Sequence, residues 1–158
     1  MKKLLVLLNL ILLIVVFGYS VIKEEDNLKK NTFYIKTSPV DPRSLIQGDY
    51  MVLNYNITDS ARIEAVNIRK GYIRIKINDL KIAEFIRVDK EYMPPSNNEI
   101  SIQFQKNSSN IDIGVNSYLF QEGTGNKFQK AQYAEVIELK NGKLRLKSLL
   151  DKDFKIIK

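Results

Sequence analysis

The chain of 158 residues contains no cysteine, no histidine and no tryptophan. Without cysteine it forms no disulfide, offers no thiolate nucleophile and takes no lipid anchor on a thiol. Without histidine as well, it has no Cys/His zinc site and no imidazole general base. Without tryptophan, and with no aromatic-rich groove signature, it lacks the usual platform for stacking a sugar ring. Any chemistry must then use carboxylates, lysine, arginine, tyrosine or serine and threonine. The net charge is +7, from 25 Lys and Arg against 18 Asp and Glu. Lys2 and Lys3 supply two of these charges, and the remainder are spread along the chain rather than clustered. That dispersal argues against nucleic acid as a partner. No loop of Asp-x-Asp-x-Asp-Gly type is present, so no metal site is proposed, and nothing points to a cofactor.

A long apolar run occupies the N-terminus. Leu4 to Ile22 contains no charge, and Asn9 and Ser20 are its only strongly polar members. As a helix it would span roughly 28 Å, close to the thickness of a bilayer's hydrocarbon core. Lys2 and Lys3 precede it, and the net-negative Lys23-Glu24-Glu25-Asp26 follows. The positive-inside rule then places the N-terminus in the cytoplasm and the rest of the chain outside. The expectation is a single-pass protein of the cytoplasmic membrane, with residues 1–22 as a transmembrane anchor in the lipid bilayer. Two alternatives stand beside it. Gly18-Tyr19-Ser20 offers small residues for cleavage after Ser20, which would release a secreted soluble binding protein. A buried helix of a soluble domain would show a polar face, and this run shows none. Residues 23–30 read as a short charged stalk.

From residue 31 onward the pattern is that of an all-β domain, an antiparallel barrel or sandwich with one short helical turn. Strands are expected over Thr32–Thr37, Tyr50–Ile57, Arg62–Arg69, Tyr72–Ile77 and Ile82–Val88, the third and fourth as a hairpin around Lys70-Gly71. Ile73, Ile75 and Ile77 fall on one face, and Tyr72, Arg74 and Lys76 on the other. Met93 to Asn98 is a loop by composition. Ile100, Ile102 and Phe104 alternate with Ser101, Gln103 and Gln105, and the alternation resumes at Ile111, Ile113 and Val115. Asn141-Gly142 between Val136–Leu139 and Leu144–Leu149 is the strongest hairpin signal in the chain. The helical turn is expected over 41–48, with Asp41 as cap, Pro42 at the first helical position and Gly48 closing it.

That turn leads into Gly48-Asp49-Tyr50-x-x-Leu53-x-Tyr55, preceded by Asp41-Pro42-Arg43. The string resembles the signature of the GDYXXLXY proteins, a family of bacterial membrane-anchored proteins. A second stretch is similar to the family's C-terminal half: Tyr118-Leu119-Phe120-Gln121-Glu122-Gly123, then Phe128, Ala131, Tyr133 and Glu135. Leu119 stands where an aromatic is common and Ala134 where glycine is usual, so this backbone position accommodates a side chain. The resemblance implies a single span and an extracytoplasmic β-rich domain, often beside a multi-pass membrane protein. It implies a location and a fold, not a reaction.

The candidate binding or motif residues are therefore Asp41, Arg43, Gly48, Asp49, Tyr50, Tyr55, Gln121, Glu122, Gly123, Tyr133 and Glu135. Asp49 either binds turn amides, pairs with Arg43 or meets a ligand. Tyr50 and Tyr55 are five apart, which in a regular strand puts one inside and the other outside. Glu122 either caps a glycine-flanked turn or shares a polar site with Asp49. Glu135 reads as a solvated face residue. No catalytic residue is assigned. The leading expectation is a non-enzymatic interaction module for a partner membrane protein or envelope component. The alternative is an envelope hydrolase using Asp49 and Glu122. A Ser/Lys hydrolase has little support, because Ser44 falls at the wrong spacing before Gly48 and no lysine is singled out as base.

Overall fold

A computed structural model describes residues 7–20, 32–37, 50–65, 67–108, 110–121 and 123–158. The chain divides into two units, Met1–Asn31 and Thr32–Lys158. In the first unit, residues 7–20 form one helix, α1, whose large apolar side chains are exposed all round. Among the described residues no helix is long and apolar enough to cross a membrane. The expected span boundaries Leu4 and Ile22, the stalk 23–30 and the helical turn 41–48 lie outside the described residues.

The second unit is mostly antiparallel β-structure. The strands are β1 (Thr32–Lys36), β2 (Tyr50–Val52), β3 (Lys70–Ile77), β4 (Ala83–Asp89) and β5 (Glu99–Asn107). They continue with β6 (Asn110–Asp112), β7 (Ser117–Leu119), β8 (Tyr133–Glu138) and β9 (Leu144–Leu150). Among the described residues they form a three-stranded sheet β1-β8-β9, a ribbon β2-β7 and a four-stranded sheet β4-β3-β5-β6. Among the described residues they are joined by two short helices, α2 (Asn56–Glu64) and α3 (Gly125–Phe128), and a 3-10 turn (Lys140–Gly142). One apolar core unites the three sheets. Phe33 and Ile35 of β1, Met51 of β2, Ile73 and Ile75 of β3, Ile100, Ile102 and Phe104 of β5, and Val136 and Leu149 all belong to it.

The period-2 alternation of β5 is realised at Ile100, Ile102 and Phe104, which are buried, and at Gln103 and Gln105, which are exposed. The Asn-Gly hairpin is realised too. Asn141 and Gly142 both have positive φ, the Leu139 amide donates to the Lys143 carbonyl at 2.7 Å, and β8 pairs with β9 from Glu138↔Leu144 onward. These dihedrals are the ones a twisted two-strand connection requires.

Two expectations are corrected. The end of the strand expected over Tyr50–Ile57 and the start of that expected over Arg62–Arg69 are replaced by α2, and the described residues from Ala65 to Arg69 form a turn rather than a strand. Ile57, Ala61 and Ala65 recur every four residues and are buried together, so a helical face is what fits the core. The β-branched residues that suggested a strand are overridden by that packing. Arg74 was expected on a solvated face, yet it is only 3% exposed. The Pro-rich loop folds over that face. Arg74 Nη1 donates to the carbonyls of Met93 (3.1 Å) and Pro94 (3.2 Å), and to Ser101 Oγ (3.0 Å). Its Nε meets Glu99 at 3.1 Å. A buried guanidinium is tolerated only when its donors are satisfied in this way.

Gly142 packs directly on β5, where a Cβ would collide with the Ser101 carbonyl. Its φ of +74 adds a conformational reason for glycine. Gly142→Ala is expected to destabilise the domain by on the order of 2 kcal/mol or more. Equilibrium denaturant unfolding measures it, and a change below about 0.5 kcal/mol would contradict this packing.

Candidate functional site

The described part of the signature begins at Tyr50. Three-residue β2 alternates: Tyr50 and Val52 point outward, each 42% exposed, and Met51 between them is fully buried. Leu53 and Tyr55 continue the inward series. The expectation of one tyrosine inside and one outside holds, although Tyr55 stands beyond the strand as the N-cap of α2. The Tyr55 hydroxyl donates to the Val115 carbonyl at 2.6 Å. Burial pushes its ionisation well above the ordinary tyrosine value, so it remains a donor across the physiological range. The Tyr55 carbonyl accepts from Thr58 Oγ1 at 2.7 Å and from the amides of Thr58 and Asp59. An antiparallel bridge joins Tyr55 to Thr37. The Leu53 amide donates to the Asn116 carbonyl at 2.8 Å, extending the ribbon by one rung.

β2 pairs with β7 so that Tyr50 faces Leu119, Met51 faces Tyr118 and Val52 faces Ser117. The outer face of the ribbon therefore carries Tyr50, Val52 and Leu119, and Leu119 is 76% exposed. The inner face carries Met51 and Tyr118. Tyr118 packs against Phe128 with ring centroids 5.1 Å apart, and Phe120 stacks on the same ring at 5.5 Å. The aromatic string of the second motif thus braces the ribbon from behind and leaves its front open. Gln121 is exposed, and its carbonyl accepts the Thr124 amide and hydroxyl. Gly123 has a φ of +80, as the glycine-flanked turn requires.

Tyr133 and Glu135 belong to β8, in the three-stranded sheet. Glu135 is only 7% exposed, which corrects the solvated-face expectation. Its Oε2 accepts from Ser148 Oγ at 2.5 Å and its Oε1 from Lys147 Nζ at 2.7 Å. The register shifts here. Glu135 pairs with Ser148 and Val136 with Leu146, so Lys147 is the extra residue of a β-bulge. The C-terminal turn covers the same face. Phe154, at φ +58, stacks on Tyr133 at 4.4 Å and meets Tyr34 edge-on at 5.3 Å. The carboxylate that sequence placed in water is thereby held by a serine and a lysine.

The structure does not bring the described candidates into one cleft. Tyr50 is on the ribbon, while Tyr133 and Glu135 share a face of a different sheet. Asp41, Arg43, Gly48, Asp49 and Glu122 lie outside the described residues, and so does the expected pairing of Asp49 with Glu122. Among the described residues no three acidic side chains converge to hold a metal ion. Sequence reasoning missed Val52 and the buried Arg74 network. Val52 carried a legible signal, since it lies two residues from Tyr50 on the same strand face. Arg74 carried none, because its partners, two loop carbonyls and the side chains of Ser101 and Glu99, lie 19 to 27 residues away in sequence.

Asp151 organises the turn that presents Phe154. Its Oδ1 accepts the amides of Asp153 (2.9 Å) and Lys155 (3.0 Å). The Lys155 amide above all, then Asp153 and the charges of Lys155 and Lys152, hold this carboxyl below its ordinary range. A depressed carboxylate stabilises the fold above its unfolded pKa and loses that contribution as pH falls through the folded value. Asp151→Ala should accelerate hydrogen exchange of the Asp153 and Lys155 amides at neutral pH. That difference from wild type should vanish in strong acid, and a difference that persists there would refute the assignment. Tyr55→Phe should cost about 1–3 kcal/mol in denaturant unfolding, because the Val115 carbonyl loses a buried donor.

Compared with known proteins, residues 12–149 match the family model described as GDYXXLXY protein, and the chain belongs to that family. No curated protein and no solved structure matches it.

Proposed function

We propose that this member of the GDYXXLXY family is a membrane-anchored, extracytoplasmic, non-enzymatic interaction module whose docking surface is the outer face of the β2-β7 ribbon. The observation that carries the reading is the split within the signature itself. Met51, Leu53 and Tyr55 are buried, whereas Tyr50 stays exposed beside Val52 and Leu119. Single exposed apolar residues are ordinary, but three side by side on a two-stranded ribbon form a contiguous patch. Tyrosine at such a patch offers a large rigid surface and one hydroxyl, the combination enriched at protein interfaces. The partner fitting this chemistry is an apolar extracytoplasmic surface of a membrane protein.

The anchor is supported by α1. Eleven large apolar side chains between Leu7 and Tyr19 are each more than half exposed, with no polar face among them. Leaving such side chains in water costs about 1 kcal/mol or more apiece, so a bilayer is the environment that suits this helix. The longer apolar run Leu4–Ile22 has the length a span requires. The N-terminal lysines orient it with the domain outside the cytoplasm.

Site-specific photo-crosslinking in the intact cell tests the docking surface. A photoreactive phenylalanine at Tyr50 or Leu119 should give one discrete adduct with an integral membrane protein. The same probe at Leu80, which is also well exposed, on the turn between β3 and β4 of the four-stranded sheet, should not. Equal labelling at all three positions, or none at the ribbon, would remove the ribbon as the docking surface.

A further inference from the structure

Apart from the ribbon, the domain carries a continuous basic groove where β3 begins and β5 ends. One cavity, of about 400 Å³, is lined by Lys70, Gln103, Gln105, Asp112 and Lys143 among others. A second, of about 770 Å³, is lined by Asn67, Arg69, Lys70, Gln105, Lys106 and Ser108 among others. Lys70 and Gln105 line both, so the two form one furrow. Strand pairing builds it. Lys70 stands opposite Gln105, and Gln105 opposite Asp112 of β6. Gly142 seats closely on Ser101 and Gln103 of β5, and the adjoining Lys143 lines the first cavity together with Gln103 and Gln105.

We infer that this groove binds an extended phosphodiester chain of polyol or sugar units. Four cations line it, Arg69, Lys70, Lys143 and Lys106, the last with its ammonium already donating to the Ala65 carbonyl at 2.9 Å, against the single carboxylate of Asp112. Oδ1 of that carboxylate already accepts the Gly114 amide at 2.7 Å. Among the described residues, Arg69, Lys70 and Lys143 are paired with no carboxylate, although each is exposed at the groove. Uncompensated cations along a furrow focus a positive potential that suits repeated anionic charges. Between the cations stand neutral amides and a hydroxyl, from Asn67, Gln103, Gln105, Asn107 and Ser108. Those groups exchange hydrogen bonds with hydroxyl-bearing linkers between phosphates. The aromatic side chain in the lining is Phe104, which is buried and offers no face for a base. Binding of single-stranded nucleic acid relies on such faces, so the lining favours a polyol or sugar backbone over a nucleobase polymer.

The test uses the full chain in mild detergent and fluorescently labelled poly(glycerol phosphate), read by anisotropy. Binding should weaken steeply with added salt, as expected when several phosphate counterions are released. Lys70→Glu/Lys143→Glu should weaken it roughly tenfold or more, with the melting temperature confirming the fold. Lys130→Glu/Lys158→Glu makes the same change in net charge at exposed positions outside the groove and should leave affinity within about twofold. An equal loss in both double variants would mean attraction by net charge alone and would overturn the site. Single-stranded DNA of matched charge binding as tightly as the polyol polymer would overturn the ligand class. Since the groove and the ribbon share no residue, either can fail without the other.

Discussion

The buried hydroxyl of Tyr55 is the interaction on which the architecture turns. A phenol taken wholly out of water must find an acceptor, and here it finds the Val115 carbonyl at 2.6 Å. The same residue bridges to Thr37 at the end of β1, follows the strand that opens the signature, and caps α2 with its own carbonyl. One residue, through its hydroxyl and its backbone, thus ties the ribbon, the three-stranded sheet, the helix and the segment carrying Val115 to a common point. With Leu53 and Met51 buried beside it, β2 has no freedom to slip by one residue, since a slip would exchange its inner and outer faces. The exposure of Tyr50 follows from the burial of Tyr55.

A second theme is the covering of sheet faces that a simple barrel would leave to solvent. The Met93–Asn98 loop closes over Arg74, and the C-terminal turn closes over Tyr133 and Tyr34 on the face that carries Glu135. Each covered face buries one ionisable side chain, Arg74 or Glu135, and in each case neighbouring hydrogen-bonding groups satisfy it. Such buried side chains penalise any change of register. A shifted strand would leave the guanidinium or carboxylate without its partners. The bulge at Lys147 serves the same end, because the extra residue puts the ammonium against Glu135 while Ser148 stays in register.

Legibility in the sequence followed the range of the forces involved. Strands such as β5 announced themselves because alternation is a local property, and the Asn-Gly hairpin because its dihedrals belong to two residues. The α2 segment was misread because its apolar stripe consists of Ile57 and two alanines, too small to dominate the pattern beside its β-branched neighbours. Arg74 and Glu135 were misread because what buries them comes from elsewhere in the chain. Charges that are scattered along the sequence, Lys70 and Lys143 among them, converge only through strand pairing and the seat of Gly142.

Composition alone excluded thiol, imidazole and disulfide chemistry, and the chain's local patterns carried the all-β class, the apolar N-terminal run and the family signature. These are properties of single residues and their near neighbours. The tertiary structure alone decided which motif residue is core and which is surface, which charge is buried, and which cations share a furrow. Those outcomes depend on side chains dozens of positions apart competing for the same interior, and desolvation settles that competition only once the sheets have closed around it.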